Sequence, residues 1–157
     1  MCEKCQENPK SHTFIPLGSD GISYYYTNPG LSEIKSNAPD FMVYYKKHLD
    51  QAKGSPWVWI FDCGRMQMAD YASFSFVREL NRIFLEEHSD FLQKILVIHP
   101  NIWVKMTIGL LHKFFKNPLL AKIRVLESAS LANLILSLHA EGVQGDILQN
   151  LLRIVKG

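Results

Sequence analysis

The segment from Lys94 to Ser128 constrains the fold more than any other part of the sequence. It begins with a short run of apolar and β-branched residues, Lys94–Ile98, which a His-Pro pair ends. A run that is apolar on both faces is typical of a buried strand in a parallel sheet. Asn101 is placed to cap a helix predicted over Ile102–Phe115, and a second strand is predicted over Ile123–Leu126. Strand, helix and strand within about 30 residues form a βαβ unit, which is expected to cross over in the right-handed sense.

The remaining elements extend this unit into an α/β fold. Apolar runs, helical stripes and turn residues predict strands over Ile22–Tyr26 and Trp57–Phe61, and helices from Phe41 to Leu49 or Ala52, Tyr71 to His88, Ser130 to His139 and Ile147 to Val155. We therefore predict a mostly parallel sheet of four or five strands with flanking helices. The first 20 residues are polar and resemble a loop, so we predict a flexible tail over residues 1–20 and a single domain over residues 21–157.

The helix after the His-Pro pair is unusually apolar for a helix at a protein surface. At about 100° per residue, its polar positions fall within one narrow sector: Lys105, Gly109, His112 and Lys116, with Lys113 beside them. A different sector, which we call the apolar stripe, consists of Trp103, Met106, Leu110 and Phe114. Such a helix is either buried nearly all round, or covers an apolar cavity, or touches a membrane surface with a basic rim.

Four motifs follow one another between Lys94 and Leu134: an apolar strand, the stretch HPNIWVK that opens the apolar helix, the stretch KFFKNPLLAKIRVL, and SLANL. In this order they resemble the lipid-binding lobe of the CRAL-TRIO family, and more narrowly its compact BCH-type branch. The resemblance covers roughly residues 22–152. It implies a sheet floor beneath a movable apolar helix, without the helical N-terminal lobe of the larger members.

The resemblance also implies a non-catalytic protein that binds a lipid or another small hydrophobic ligand, with a phosphoinositide among the candidates. In the phosphatidylinositol-transfer members, an acidic residue and a lysine hold the headgroup. By position these resemble Asp90, counted back from Lys94, and Lys122, just before the last strand. The apolar stripe is then expected to bind the ligand. Four basic residues of the helix are expected to contact an anionic membrane peripherally: Lys105, His112, Lys113 and Lys116.

The same branch offers an alternative, a protein-interaction scaffold that binds small GTPases, their regulators or a second copy of itself. The segment GVQGDIL at residues 142–148 is similar to the G-I-P-x-x-V-L of the compact branch but lacks its proline. A compact lobe has less room for a ligand pocket, which favours the scaffold. Exposed apolar area on the helix of Trp103, buried by a partner, would support the scaffold, whereas a closed apolar cavity would support the lipid.

An enzyme is the third class that the sequence raises. Neighbouring strand ends bring Asp62, Cys63 and His99 near one another, and a cysteine beside a histidine can act as a nucleophile with its base. Neither a Gly-x-Ser-x-Gly elbow nor a phosphate-cradling glycine loop accompanies them. We therefore predict no enzyme activity, and we expect His99 to hydrogen-bond the backbone at the end of its strand.

The composition argues against several further classes. A net charge of +2 does not indicate nucleic-acid binding. Three cysteines do not make a disulfide framework, and Cys2 and Cys5 lack the further ligands of a zinc site, so no metal or other cofactor is predicted. The polar start carries no secretory signal, and the apolar runs are shorter than the ~20 residues of a transmembrane helix. We therefore expect a cytoplasmic protein whose membrane contact, if any, is peripheral.

Overall fold

A computed structural model describes residues 10–15, 21–32, 41–67, 74–114 and 118–157. Within these residues, five strands form one sheet in the order β1-β2-β3-β4-β5. The strands are β1 His12–Ile15, β2 Ser23–Thr27, β3 Trp57–Asp62, β4 Leu92–Ile98 and β5 Ile123–Val125. The helices are α1 Phe41–Asp50, α2 Phe74–Ile83, which continues as a π-helix over Phe84–His88, α3 Ile102–Phe114, α4 Leu131–Ala140 and α5 Gly145–Lys156.

The strands β2 to β5 are parallel and adjacent in chain order, whereas β1 pairs antiparallel with β2. Each parallel connection steps to the next strand in the same direction, so right-handed crossovers place α1, α2 and α3 on one face of the sheet. Helices α4 and α5 follow the last strand and pack on the other face. The prediction of an α/β fold with a mostly parallel sheet of four or five strands and flanking helices is confirmed.

The central strand β3 shows why helices are needed on both faces of the sheet. Trp57 and Trp59 are buried in the cluster that contains residues of α1, the π-helix and α3. Val58 and Ile60 are buried in a second cluster, which contains residues of α4 and α5. Because side chains alternate between the faces of a strand, a strand that is apolar from Trp57 to Phe61 must be covered on both sides.

Strand β1 corrects one expectation, because it lies within the stretch that we predicted to be a loop-like tail. His12 pairs with Thr27 and Ile15 pairs with Tyr24, so β1 adds an antiparallel edge to the sheet. The backbone of Asn28 also donates a hydrogen bond to the carbonyl of Ser11, and Ser11 is buried. The folded part of the chain therefore includes residues before 21. The predicted tail at residues 1–9 and 16–20 lies outside the described residues.

The other predicted elements are found with small shifts of their ends. Strand β4 starts two residues before the predicted Lys94, and the last turn of the helix that reaches His88 is a π-helix. The first turn predicted for that helix, residues 71–73, lies outside the described residues. No helix within the described part of the chain is long and apolar enough to cross a membrane.

Candidate functional site

Helix α3 starts where the sequence predicts, at the carboxyl end of β4. The side-chain oxygen of Asn101 accepts a hydrogen bond from the backbone N–H of Val104 at 3.0 Å, which satisfies one of the donors left free at a helix start. The carbonyl of Asn101 accepts from the N–H of Lys105 at 3.1 Å. Asn101 therefore caps α3 as predicted and fixes the point at which the helix leaves the sheet.

Only a narrow side of α3 packs on the sheet. Val104 is buried, and Ile108 is partly buried against the same cluster. The outward side of the helix carries large apolar side chains that are about half exposed or more: Ile102 63%, Trp103 49%, Met106 53% and Leu110 53%. A helix buried nearly all round, one of the three interpretations of its sequence, is therefore excluded for these residues. Most of the predicted apolar stripe faces outward, and the side chain of Phe114 lies outside the described residues.

The exposed side of α3 is also basic. Lys105, His112 and Lys113 are exposed, and the sequence of the helix contains no aspartate or glutamate. At about 100° per residue, Lys105 and His112 lie at one border of the exposed apolar side chains, and Lys113 falls among them. Lys116 lies outside the described residues. The helix thus presents apolar area and positive charge on one surface, which is the composition of helices that lie in a membrane interface.

The two residues predicted to hold a headgroup lie at the amino edge of the parallel strands. Asp90 is exposed and precedes β4, while Lys122 immediately precedes β5. The ammonium of Lys122 donates hydrogen bonds of 2.6 Å to the carbonyls of Ser89 and Leu92. Because an ammonium has three N–H donors, these two bonds fix Lys122 in place and leave one donor. A crossover helix runs antiparallel to its strands, so the last turn of α3 also comes to this edge.

The opposite, carboxyl edge of the sheet holds a hydrogen-bond network around a buried carboxylate. Asp62 accepts from the hydroxyl of Tyr26 at 2.7 Å and from the backbone N–H of Gly64 at 2.8 Å. The Nδ1 atom of His99 lies 2.9 Å from the same carboxylate. The expectation that the His99 ring bonds the backbone is therefore wrong: the ring is next to Asp62 because β3 and β4 are neighbouring parallel strands that end together.

The charges in this network stabilise each other. Burial disfavours ionisation of Asp62, but the hydrogen bonds from His99, Tyr26 and Gly64 outweigh it, so the pKa of Asp62 is lowered. The hydrogen bond to Asp62 raises the pKa of His99 against the opposing effect of desolvation. Burial, together with the charge of Asp62, raises the pKa of the Tyr26 hydroxyl, which stays protonated and acts as a donor. The network is therefore fitted to hold an imidazolium beside a carboxylate.

The backbone at His99 is constrained as well. Its φ of 49° is the one left-handed value among the non-glycine residues that the structure describes. This conformation costs an L-residue about 1–2 kcal/mol, and the following proline disfavours the right-handed alternative. The N–H of His99 donates to the hydroxyl of Ser128 at 2.8 Å, which helps to hold the backbone there. Tyr26 and Ser128 were not predicted as partners.

Cys63 lies beside this network but is not activated. Its side chain is buried, and desolvation, followed by the charge of Asp62, raises the pKa of the thiol to about 12. A thiol with such a pKa stays protonated at neutral pH and is a poor nucleophile. Within the described residues, no group of three His, Cys, Asp or Glu side chains is placed to hold a metal ion, and Cys2 and Cys5 lie outside those residues.

The mostly parallel sheet with helices on both faces defines a three-layer α/β domain. The sequence matches the family described as Divergent CRAL/TRIO domain over residues 24–142, which is more than half of the chain. The protein therefore belongs to the CRAL/TRIO family. At the level of the family, this means binding of a lipid or small ligand, and members are generally lipid-binding transfer proteins rather than enzymes. A comparison with curated proteins gave no match.

Proposed function

We propose that this protein binds a lipid without catalysing a reaction on it, and that α3 makes peripheral contact with an anionic membrane. The observation that carries the proposal is the exposed side of α3, where Trp103, Met106 and Leu110 stand beside Lys105 and Lys113. Moving apolar surface out of water into the membrane interface makes the free energy of binding more favourable by about 25 cal/mol per Å². Each lysine near an anionic bilayer adds about 1 kcal/mol.

A phosphoinositide is the lipid that the amino edge favours. Lys122 is held by two carbonyls and retains one donor, and Asp90 lies on the same edge. His112 and Lys113 belong to the last turn of α3, which comes to this edge. A lysine acts as a point charge for phosphate, and a lysine that is already held in place loses less side-chain entropy when it binds a phosphorylated headgroup. We propose that Lys122 and Asp90 contact the headgroup while the apolar stripe and Ile102 contact the acyl region.

We also propose that the chain belongs to the compact BCH-type branch, because the motifs from HPNIWVK to SLANL occur in the order typical of it. The scaffold function of that branch remains the second candidate. The exposed apolar side of α3 favours it as well, since apolar area of this kind is also typical of a surface that a partner protein covers. A small GTPase, one of its regulators or a second copy of the chain would then occupy the surface.

Reversing two charges on α3 tests the membrane contact. We expect Lys105→Glu with Lys113→Glu to weaken binding to phosphatidylserine vesicles at low salt by at least about 2 kcal/mol, or roughly 30-fold, because two attractive charges become repulsive. High salt should narrow the difference, since exposed charges are screened. Co-sedimentation with vesicles measures the binding, and thermal melting should show that the fold is unchanged.

The matched control for this variant is Arg153→Glu with Lys156→Glu on α5, which changes the net charge equally on the opposite face of the sheet. The control should bind vesicles nearly as well as the wild type. If both charge-reversal pairs weaken binding by the same amount, the attraction reflects net charge and α3 is not the contact surface. If neither pair changes binding, the scaffold becomes the better account.

A further inference from the structure

The segment that leads into α3 is attached to the sheet through contacts of His99. Asp62 at the end of β3 holds the ring of His99, and Tyr26 in β2 holds Asp62. The segment after β5 supplies Ser128, whose hydroxyl accepts the N–H of His99. Asn101, two residues after His99, caps the helix through Val104. The Asp62–His99 and Ser128–His99 contacts thus hold the segment that leads into the first turn of α3.

We propose that the Asp62–His99 pair is a proton-operated latch that controls how firmly the first turn of α3 is held on the sheet. The proposal concerns regulation of the surface assigned above, and so its effect on membranes rests on the proposed function. The two residues nearest the latch on the outward side of α3 are Ile102 and Trp103. A firmly held first turn keeps these side chains in the outward arrangement, whereas a loosened turn lets them rotate away from it.

The geometry explains why one proton matters here. With a protonated ring, Nδ1 donates a charge-assisted hydrogen bond to Asp62, which is stronger than the bond a neutral ring makes. The Nε2 atom of His99 has no hydrogen-bond partner within the described residues, and the side chain is partly exposed. A proton can therefore enter or leave at Nε2 from solvent while Nδ1 keeps its contact with Asp62.

The direction of the pH effect follows from the charged groups around the ring. Asp62 is the group whose charge acts on His99, and it raises the pKa of His99 above the ordinary 6.5. The stabilisation of the folded state by protonated His99 is therefore fully present below pH 6.5 and is lost as the pH rises through the raised pKa of His99. Asp62 has a lowered pKa, so its own contribution is lost only in acid, below its ordinary 3.8. Tyr26 and Cys63 have raised pKa values and remain neutral throughout this range.

The variant His99→Asn separates the proton from the structure. Asparagine tolerates the left-handed backbone of this position, and its amide can still donate to Asp62, but it does not titrate. We expect hydrogen exchange of the Val104 and Lys105 amides in the lipid-free wild type, corrected for intrinsic rates, to be roughly fivefold faster at pH 8 than at pH 6. In His99→Asn the corrected rates should be the same at both pH values. Equal pH dependence in the two proteins would overturn the latch.

If His99→Asn does not fold, NMR titration of the wild type decides the question. A single transition shared by the His99 ring and the Val104 amide supports the latch. If the chemical shift of the Val104 amide stays constant while the His99 ring titrates, the latch is overturned.

A vesicle measurement distinguishes the latch from the membrane proposal. His112→Gln is the background, because His112 is another histidine on the exposed side of α3. We expect binding to vesicles of phosphatidylserine and phosphatidylcholine to be stronger at pH 6 than at pH 8, and adding His99→Asn should remove the difference. If the corrected exchange rates of the Val104 and Lys105 amides depend on pH but the protein binds no vesicles at either pH, the latch is supported and the membrane contact is contradicted. If the protein binds vesicles but these exchange rates are the same at both pH values, the membrane contact is supported and the latch is overturned.

Discussion

Replacing Trp103 and Met106 together with serine is expected to lower partitioning into anionic vesicles about 30- to 140-fold. Both side chains are about half exposed on the outward side of α3, so in the proposed complex they enter the membrane interface. Losing their burial costs roughly 2–3 kcal/mol at about 25 cal/mol per Å², and every 1.4 kcal/mol is a factor of ten. Vesicle co-sedimentation at constant salt measures the change. The midpoint of urea unfolding should move little, because exposed side chains contribute little to stability.

The control for this pair is Leu131→Ser with Leu136→Ser on α4. These leucines are also exposed, but they belong to the helix that packs on the other face of the sheet. The control removes a similar amount of exposed apolar area, so it should leave vesicle binding unchanged. If the two pairs weaken binding equally, the vesicles sense general hydrophobicity and the assignment of the contact to α3 is wrong.

Gly30→Ala is expected to destabilise the protein by about 3 kcal/mol, the upper range for overpacking. Gly30 lies in the short 3-10 helix Pro29–Leu31, which Asn28 caps through its side-chain oxygen. A Cβ atom at this position would be 2.2 Å from the backbone oxygen of Arg65 and 2.8 Å from the backbone nitrogen of Met66. Because both neighbours are backbone atoms, one of the two segments must move. Urea unfolding followed by circular dichroism gives the free energy.

Gly109→Ala is the matched glycine variant. Gly109 is in the exposed middle of α3, where a Cβ atom would meet nothing within 4 Å. Alanine should stabilise the helix here by about 0.5–1 kcal/mol, the usual difference from glycine in a helix interior. If Gly30→Ala unfolds at the same urea concentration as the wild type, the 3-10 helix Pro29–Leu31 does not pack closely against the segment after β3, contrary to this prediction.

The two central strands of the sheet, β3 and β4, were predictable because each contains a continuous apolar run. The runs at residues 57–61 and 95–98 have apolar side chains on both faces of the sheet, which is typical of buried parallel strands. Strand β1 was missed because two of its four residues are polar and it forms through pairing with β2, which leaves no local sequence signal. The βαβ unit was predictable because its strand, helix and strand follow one another within about 30 residues, whereas the order of all five strands required the structure.

The orientation of α3 was harder to predict than its existence. The sequence separates an apolar stripe from a line of basic residues, but Val104 and Ile108 are apolar as well and form the side that packs on the sheet. A helix with apolar residues on several sides does not indicate which side is buried, because that depends on the residues it meets. The exposure of Trp103 and Met106 therefore required the structure.

The candidate sites show the same division. Two neighbouring parallel strands that end in Asp62 and His99 predicted that these residues would be close, and they are. The donor Tyr26 comes from a third strand, and the acceptor Ser128 comes from the segment after β5, so neither has a local signal. Likewise, the position of Lys122 before β5 was predictable. Its hydrogen bonds to the carbonyls of Ser89 and Leu92 depend on how the segments before β4 and β5 pack together, which the sequence does not indicate.

The fluorescence of Trp103 tests the central claim most directly. The protein has three tryptophans, of which Trp57 and Trp59 are buried in the core and Trp103 is exposed on α3. A change in tryptophan emission on adding vesicles therefore reports Trp103. With phosphatidylserine vesicles at low salt, we expect the emission to shift to shorter wavelength, and we expect lipids brominated along the acyl chain to quench it. An emission spectrum that neither shifts nor is quenched at saturating lipid would contradict membrane contact through α3.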